Sequence, residues 1–271
     1  MKNITSINNS LVRKIEQLQR KSRARKSEGM FVIEGKRELQ LADSGDYMLE
    51  VVFICPELFS ETENSTVNDA ITSLELKQSP EVVMISLEVY NKVAYRGSTE
   101  GCLAFAKAKT HQLASLQLKK IPLILIAEAP EKPGNLGALL RTADAAAVDA
   151  VIIANPKTDL YNPNVIRSSV GCIFTVQVAT ASTPDVIAYL EKREINLFAA
   201  TLQNSNRYDS QNFKIASAIA VGTESTGLSP EMRNAAITNI IIPMNGAIDS
   251  MNVSVSAAIL LFEAKRQRNF Q

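Results

Sequence analysis

Apolar and polar positions in the second half of the chain follow two alternating patterns. Short runs that are almost wholly apolar, such as 123–127, 150–154 and 216–221, are separated by longer stretches whose apolar residues stand three or four apart. Short apolar strands that alternate with amphipathic helices indicate a mostly parallel sheet covered on both faces. The pattern therefore predicts an α/β fold from Ile121 onward.

The same reading sets the expected elements of this half. The predicted strands span 123–127, 150–154, 175–178, 196–200, 216–221 and 239–242. The predicted helices span 136–147, about 163–170, 184–193, 230–236 and 252–268.

The first hundred residues predict a smaller α/β unit. Its expected helices span 9–26, 36–43 and 87–93, and its expected strands span 30–34, 50–54, 82–85 and 101–106. The polar segment 107–120 lacks a buried pattern. We therefore expect two domains, 1–106 and 121–271, joined by a linker over 107–120.

Charge is distributed unevenly, although the formal net charge is only +1. Residues 1–30 hold eight Lys or Arg against two Glu. The basic residues that cluster within fourteen positions are Arg13, Lys14, Arg20, Lys21, Arg23, Arg25 and Lys26. Such a cluster is typical of binding to a phosphate backbone, although a solvated helix face has the same pattern. We predict nucleic-acid binding there.

Other residue types exclude several classes of chemistry. His111 is the single histidine, which argues against histidine triads and histidine-rich metal sites. Cys55, Cys102 and Cys172 are scattered, so neither a disulfide framework nor a zinc site is indicated. No apolar run approaches the roughly 18 residues of a membrane span. We expect a cytoplasmic protein without a metal or a membrane anchor.

Three polar motifs each follow a predicted strand and open a predicted helix. They are Asn135-Leu-Gly-Ala-Leu-Leu-Arg-Thr-Ala143, Gly222-Thr-Glu-Ser-Thr-Gly-Leu-Ser229 and Ile242-Pro-Met-Asn-Gly-Ala-Ile-Asp-Ser-Met-Asn-Val-Ser-Val255. Open α/β sheets bind ligands at such strand ends. No G-x-G-x-x-G follows a strand and no G-x-x-x-x-G-K-[ST] occurs, so a Rossmann or P-loop nucleotide site is not indicated.

Each motif also has a purely structural interpretation. Asn135 is placed to cap its helix, Ser229 to cap the next and Asn252 to cap the last. Arg141 fits a structural or solvated arginine as well as a functional one. Capping does not explain why Gly222 and Gly227 bracket Glu224, an arrangement that suits backbone amides held close to a ligand.

Taken in order, the motifs resemble those of the SpoU (TrmH) family of RNA ribose 2′-O-methyltransferases, in the SPOUT superfamily. The likeness runs from 121 to about 268 through N-x-G-x-x-x-R-T-A, G-x-E-x-x-G-L-S and I-P-M-x-G-x-x-x-S-x-N-V-S-V. The N-terminal part more weakly resembles the family's substrate-binding domain, which is similar to ribosomal protein L30e, through 21–26, 31–35 and 99–101.

The resemblance implies a fold and an activity that the pattern alone does not. The sheet would carry a deep trefoil knot, which general chain rules argue against. The protein would be a homodimer with sites at the subunit interface, and it would transfer a methyl group from S-adenosylmethionine to RNA. We expect 23S ribosomal RNA as the substrate, with tRNA methylation or a non-catalytic RNA-binding role as alternatives.

The resemblance also implies the residues of the site. The positions that match the family's catalytic residues are Asn135, Arg141, Glu224, Ser250 and Asn252. The positions that match or border its S-adenosylmethionine pocket are Gly222, Ile242, Met251, Gly246 and Thr201.

A general-base role does not suit Arg141, the arginine of the first motif. A guanidinium has a pKa above about 12, so it is a poor proton acceptor. Our hypothesis is that Arg141 grips a neighbouring phosphate and stabilises the developing alkoxide, while a phosphate oxygen or a water accepts the proton.

Overall fold

The computed structural model describes residues 2–59, 71–72, 74–95, 100–247 and 250–271. The chain forms two compact units, the first made of Met1–Lys109 with Leu160–Arg167, and the second of Thr110–Asp159 with Ser168–Gln271. None of the helices in the described ranges is both long and apolar enough to cross a membrane.

The first unit is built on a mixed sheet. Its described strands are β1 (Lys2–Ile4), β2 (Met30–Glu34), β3 (Leu49–Ile54), β4 (Glu81–Ile85) and β5 (Cys102–Lys107). Its described helices are α1 (Ser10–Arg20), α2 (Ser22–Glu28), α3 (Lys36–Ser44), α4 (Pro56–Phe59) and α5 (Leu87–Val93). The strand order is β1-β4-β3-β5-β2, with β5 antiparallel to both of its neighbours.

Helical spacing explains how α1 covers this sheet. Val12, Ile15 and Leu18 recur every three residues, so they share one face of the helix and are buried. The segment Leu160–Arg167 groups with this unit. There the ring of Tyr161 stacks on the ring of Phe31 with centroids 4.1 Å apart.

The second unit is built on a parallel sheet. Its described strands are β6 (Leu123–Glu128), β7 (Ala150–Ala154), β8 (Val178–Ala181), β9 (Asn196–Ala200), β10 (Asn206–Arg207), β11 (Ser217–Val221) and β12 (Thr238–Ile241). After α5, the described helices along the chain are α6 (Pro133–Ala145), α7 (Pro163–Ser168), α8 (Thr183–Lys192), α9 (Pro230–Ala235) and α10 (Val253–Gln267). Of these, α7 groups with the first unit up to Arg167.

Every strand pair in this described sheet is parallel, in the order β10-β12-β9-β11-β6-β7-β8. The central strands β6, β7 and β11 are buried along their whole length, which agrees with their continuous apolar runs. Parallel strands bring their carboxyl ends to one edge of the sheet. The first motif lies in α6, the helix that follows β6 at this edge, and the other two begin in the loops that follow β11 and β12. The predicted α/β class with a mostly parallel sheet is confirmed. The trefoil knot stays a prediction.

Most predicted elements match the structure to within a few residues, but the strand at 175–178 is wrong. Cys172–Phe174 forms a 3₁₀ turn, and the amide of Val176 still donates to the carbonyl of Cys172. The strand therefore begins only at Val178.

Two further differences concern the first unit and the predicted linker. The expected helix over 9–26 is two helices, because Lys21 adopts an extended conformation between α1 and α2. Within 107–120, Leu116 is buried in the core of the second unit, so this segment contributes to packing. The sequence pattern also missed β1 and β10, short strands at the sheet edges that are defined by pairing with β4 and β12.

Candidate active site

A cavity bordered by the second and third motifs lies at the carboxyl edge of the second unit's sheet. Its volume is about 740 Å³, and its walls begin where β9, β11 and β12 end, at Ala200, Val221 and Ile241. The loops after these strands complete the lining. A cavity of this size falls in the range that holds small-molecule ligands and cofactors.

Four of the five residues predicted to bind the cofactor line this cavity. They are Thr201, Gly222, Ile242 and Met251. Gly246 is exposed and is not among the described lining residues. Of the predicted catalytic residues, Glu224, Ser250 and Asn252 also line it.

The two glycines of the second motif shape the loop that carries Glu224. A Cβ added at Gly222 would lie 2.1 Å from the carbonyl carbon of Gly227, so a side chain there is excluded. Thr223 and Gly227 form a short antiparallel bridge, and Gly227 has a φ of 68°. The glycines therefore let this loop close on itself, which holds Glu224 at its tip.

Glu224 is the centre of a hydrogen-bond network that joins three loops. Asn135 Nδ2 donates to Glu224 Oε1 at 2.7 Å, and Lys132 Nζ donates to Glu224 Oε2. Asn252 Nδ2 lies 3.4 Å from both Glu224 Oε1 and Asn135 Oδ1. The hydrogen bonds from Lys132 and then Asn135 lower the pKa of Glu224. The carboxylate is thus a charged acceptor with donors from the first and third motifs.

The two asparagines reach Glu224 in different ways. Helix α6 begins at Pro133 with Lys132 as its N-cap, so the expectation that Asn135 caps the helix is wrong. Asn135 lies in the first turn, and its side chain is available for Glu224. Asn252 caps α10 as expected, because its Oδ1 accepts from the backbone amide of Ser254 at 2.9 Å. This bond directs its Nδ2 toward Glu224.

Two predicted catalytic residues stand apart from the network. Ser250 is exposed at the cavity wall. Arg141 is exposed on α6 and has no hydrogen-bond or ion-pair partner among the described residues. The structure therefore brings Asn135, Glu224 and Asn252 together but not Arg141 with Glu224.

Lys132 forms an ion pair with Glu224 and was not among the residues predicted from the sequence. It lies one residue before Pro133, in the loop between β6 and α6. The available signal was a lysine in the loop that leads into the first motif.

Glu128, at the carboxyl end of β6, was also not predicted from the sequence. Its side chain is buried and accepts from Thr183 Oγ1 at 2.6 Å and from both the amide and Oγ of Ser229 at 2.7 Å. Ser229 in turn caps α9. Glu128 thus anchors the end of the segment that carries Glu224.

A smaller cavity of about 90 Å³ lies beside the large one. Lys132, Asn135 and Leu139 line only the smaller cavity. The lining residues common to both cavities are Val221, Gly222, Thr223, Glu224, Ser225 and Val253. Glu224 therefore stands at the boundary between a large cavity and a small one.

The basic cluster of the first unit divides into exposed and engaged residues. The exposed members are Arg13, Arg20, Lys21, Arg23 and Lys26, of which Arg20 also pairs with Glu16 at 3.7 Å. Lys14 forms an ion pair with Glu28 at 2.8 Å. Arg25 is 4% exposed and donates to the carbonyls of Leu18 and Gln19. Its expected role in RNA binding is corrected to a structural one, because its guanidinium is held at the end of α1.

The sequence matches two known families. Residues 122–262 match the SpoU rRNA Methylase family, and residues 9–104 match the MRM3-like substrate binding domain. The 23S rRNA (guanosine(2553)-2′-O)-methyltransferase RlmP of Bacillus subtilis (strain 168) is 27% identical over 265 residues, which cover 98% of this chain and 100% of that protein.

Solved structures resemble the chain over nearly its full length. A crystal structure of an RNA 2′-O ribose methyltransferase is 35% identical, covers 98% of this chain and 99% of its own, and has a TM-score of 0.82. An rRNA methyltransferase from Sinorhizobium meliloti, solved with AdoMet bound, is 23% identical, covers 98% and 97%, and has a TM-score of 0.87. The latter shows the shared fold.

Proposed function

The chain belongs to the SpoU rRNA methylase family, and from this we propose that it transfers a methyl group from S-adenosylmethionine to a ribose 2′-hydroxyl of 23S ribosomal RNA. The observation that carries the proposal is that side chains from all three motifs are hydrogen-bonded to one another at the boundary between the cavity of about 740 Å³ and the smaller cavity beside it. Asn135, Glu224 and Asn252 meet there, although 28 to 117 positions separate them along the chain.

The large cavity fits S-adenosylmethionine in size and in chemistry. Its lining combines apolar side chains, such as Val221, Ile242 and Leu260, with the charged groups of Glu224 and Arg233. This combination suits a ligand that has a flat adenine at one end and a zwitterionic amino acid at the other. When bound, the cofactor supplies a methyl group made electrophilic by a positively charged sulfur.

The residues of the chain position the ribose and handle its proton. We assign Asn135, Ser250 and Asn252 to orienting the 2′-hydroxyl, since amides and hydroxyls both donate and accept hydrogen bonds. Glu224 orients the two amides rather than Arg141, because it bonds to them and not to the guanidinium. Arg141 binds the adjacent phosphate and stabilises negative charge on the 2′-oxygen.

The first unit supports ribosomal RNA as the substrate. It matches a substrate-binding domain over residues 9–104 and presents Arg13, Lys21, Arg23 and Lys26 to solvent. The Bacillus subtilis relative acts on 23S rRNA, and this chain covers its whole length. Exposed lysine and arginine side chains of this kind bind the phosphate backbone of structured RNA.

The proposal includes the homodimer and the knot. Val255 and Phe262 of α10 are 48% and 43% exposed in the single chain. Large apolar side chains left in water on one helix favour a second subunit that covers them.

Mapping of 2′-O-methyl groups tests the function. Deletion of the gene is expected to remove a single methyl group from 23S rRNA, and the purified protein with S-adenosylmethionine is expected to restore it. A loss confined to tRNA would overturn the substrate, and binding of RNA without any methyl transfer would favour a non-catalytic factor.

Arg141→Lys separates the phosphate clamp from a general base. Lysine is the better proton acceptor but the poorer bidentate clamp, so we expect the methyl-transfer rate to fall on the order of tenfold or more. Single-turnover methylation measures it, with the exposed Arg193→Lys as a control. A rate equal to or above that of the wild type would contradict the clamp.

A further inference from the structure

The side chain of Lys132 makes a contact that neither helix capping nor packing explains, because it forms no capping hydrogen bond with α6. Its side chain is 70% exposed, yet it forms an ion pair with Glu224, which lies on a loop 92 positions further along the chain. An ion pair this exposed adds little to folding stability. The other hydrogen bonds of Glu224, from Asn135 and Asn252, point to a role for the pair in the site rather than in folding.

We propose that Lys132 is a positioning residue of the methyl-transfer site, which acts by fixing the carboxylate of Glu224 against Asn135 and Asn252. This inference rests on the proposed function. Lys132 bonds to Oε2 of Glu224, which leaves Oε1 for the two amides.

The two amides are already constrained by their own elements. Asn135 lies in the first turn of α6, and Asn252 is held by its capping bond to Ser254. Glu224 is the member with rotational freedom, because it stands at the exposed tip of a loop that Gly222 and Gly227 close. A second donor from a different loop removes that freedom. Lys132 thus completes the arrangement.

The charge of Lys132 acts in the same direction. Its hydrogen bond is the largest cause of the lowered pKa of Glu224. The ion pair also raises the pKa of Lys132 itself. Both groups stay ionised near neutral pH, so Glu224 offers acceptor oxygens to the amides and does not compete with them as a donor.

The location makes the positioning relevant to the substrate. Glu224 stands where the large and the small cavity meet, and Lys132 lines the small cavity. A carboxylate that swung away from Asn135 would change the boundary between the two. We therefore expect Lys132 to affect the rate of methyl transfer more than the binding of RNA.

A double-mutant cycle on methyl transfer tests the inference. Lys132→Met is expected to lower kcat about threefold to fivefold with the KM for RNA unchanged, and Lys132→Arg to restore most of the rate. In a Glu224→Gln background, Lys132→Met is expected to have no further effect, because its partner is already lost. Lys214→Met is the matched control, since Lys214 is exposed and precedes β11 at the opposite end of that strand.

Two kinetic outcomes would overturn the proposal. Independent, multiplying effects of Lys132→Met and Glu224→Gln would show that Lys132 does not act through Glu224. A raised KM for RNA, together with a salt dependence weakened by about one phosphate contact, would make Lys132 a direct RNA ligand.

A spectroscopic readout keeps this test separate from the test of the function. The side-chain amide resonances of Asn135 and Asn252 in ¹⁵N-labelled protein are expected to shift in Lys132→Met and not in Lys214→Met. Unchanged resonances in Lys132→Met would refute the positioning role. An inactive wild type whose amides respond would count against the methyl-transfer proposal alone.

Discussion

Both units have glutamates near the ends of strands, but the carboxylates differ in what lies next to them. In the first unit they lie near one another, and in the second they face hydrogen-bond donors. After β2, a Cβ on Gly35 would lie 2.6 Å from Oε2 of Glu38 and 3.2 Å from Oε2 of Glu100. Glu34 precedes this glycine, so three carboxylates share one small region. In the second unit, Glu128 and Glu224 each accept hydrogen bonds from several donors.

The difference changes what each carboxylate can do. Burial raises the pKa of Glu34 to about 7, and its Oε1 has no hydrogen-bond partner within the described structure. Burial also raises the pKa of Glu38, and the nearby Glu100 adds to the shift. Hydrogen bonds from Lys132 and Asn135 lower the pKa of Glu224. All of these residues are glutamates, so the residue type does not explain the difference. Burial raises the pKa of a carboxyl group, whereas hydrogen bonds to its charged form lower it.

The largest expected effect comes from removing the best-satisfied carboxylate. Glu128→Ala leaves the hydroxyls of Thr183 and Ser229 and the amide of Ser229 without their buried acceptor. Since each lost partner costs about 1 to 3 kcal/mol, we expect the free energy of unfolding to fall by about 3 to 5 kcal/mol. Urea denaturation measures it.

The exposed Glu131→Ala is the control for that loss and is expected to change stability by less than about 0.5 kcal/mol. Glu128→Gln keeps one acceptor oxygen and is expected to fall between the two. If the free energy of unfolding of Glu128→Ala equalled that of the wild type, the buried hydrogen bonds would make no net contribution to stability.

An intermediate effect is expected at Glu224 and only on activity. Glu224→Gln removes the charge that holds Lys132 while the site stays exposed, so stability should change by less than about 0.5 kcal/mol. We expect methyl transfer to fall about tenfold, because the amides of Asn135 and Asn252 lose their fixed acceptor. Glu231→Gln on α9 is the matched control. If Glu224→Gln lowered stability but not the rate of methyl transfer, Glu224 would be a structural residue like Glu128, and the expected difference between the two would be wrong.

The smallest expected effect is a pH dependence at Glu34. Because burial raises its pKa from 4.5 to about 7, the folded state favours the protonated form. The wild type is then most stable below pH 4.5 with respect to this group, and that stability is lost as the pH rises through 7. Glu34→Gln should not show this loss.

We expect Glu34→Gln to be more stable than the wild type at pH 8 by about 1 kcal/mol, after allowance for partial exposure, and to approach it near pH 4.5. Thermal unfolding at both pH values measures the difference. A constant difference between the two proteins at all pH values would mean that Glu34 does not titrate in this range.

The parts of the fold that could be predicted are those that leave a hydropathy pattern in the sequence. Strands such as Ala150–Ala154 and Asn196–Ala200 were predicted to the residue, because burial on both faces leaves a continuous apolar run. The strand predicted at 175–178 failed because Val176 is apolar but belongs to the turn that ends the preceding 3₁₀ helix. Local hydrogen bonding, which hydropathy does not report, decided that boundary.

In the candidate site too, some features could be predicted from the sequence and others could not. The motifs and their order were sufficient to predict Asn135, Glu224 and Asn252 as site residues, and the structure brings these three side chains together. Their bonding partners were not readable, because nothing in the local pattern of Lys132 distinguishes it from a solvated lysine. The basic cluster also could not be sorted by sequence, since Arg25 and Arg23 look alike until Arg25 is found 4% exposed against backbone carbonyls.

The sequence by itself therefore determined the α/β class, the parallel sheet and the loops that carry the polar motifs. Each of these depends on periodicity and on residue types close together in the chain. Only the tertiary structure decided which donors surround each carboxylate, because those contacts join positions that are far apart in sequence. That is why Glu224 has Lys132 as its partner, whereas Oε1 of Glu34 has no hydrogen-bond partner among the residues that the structure describes.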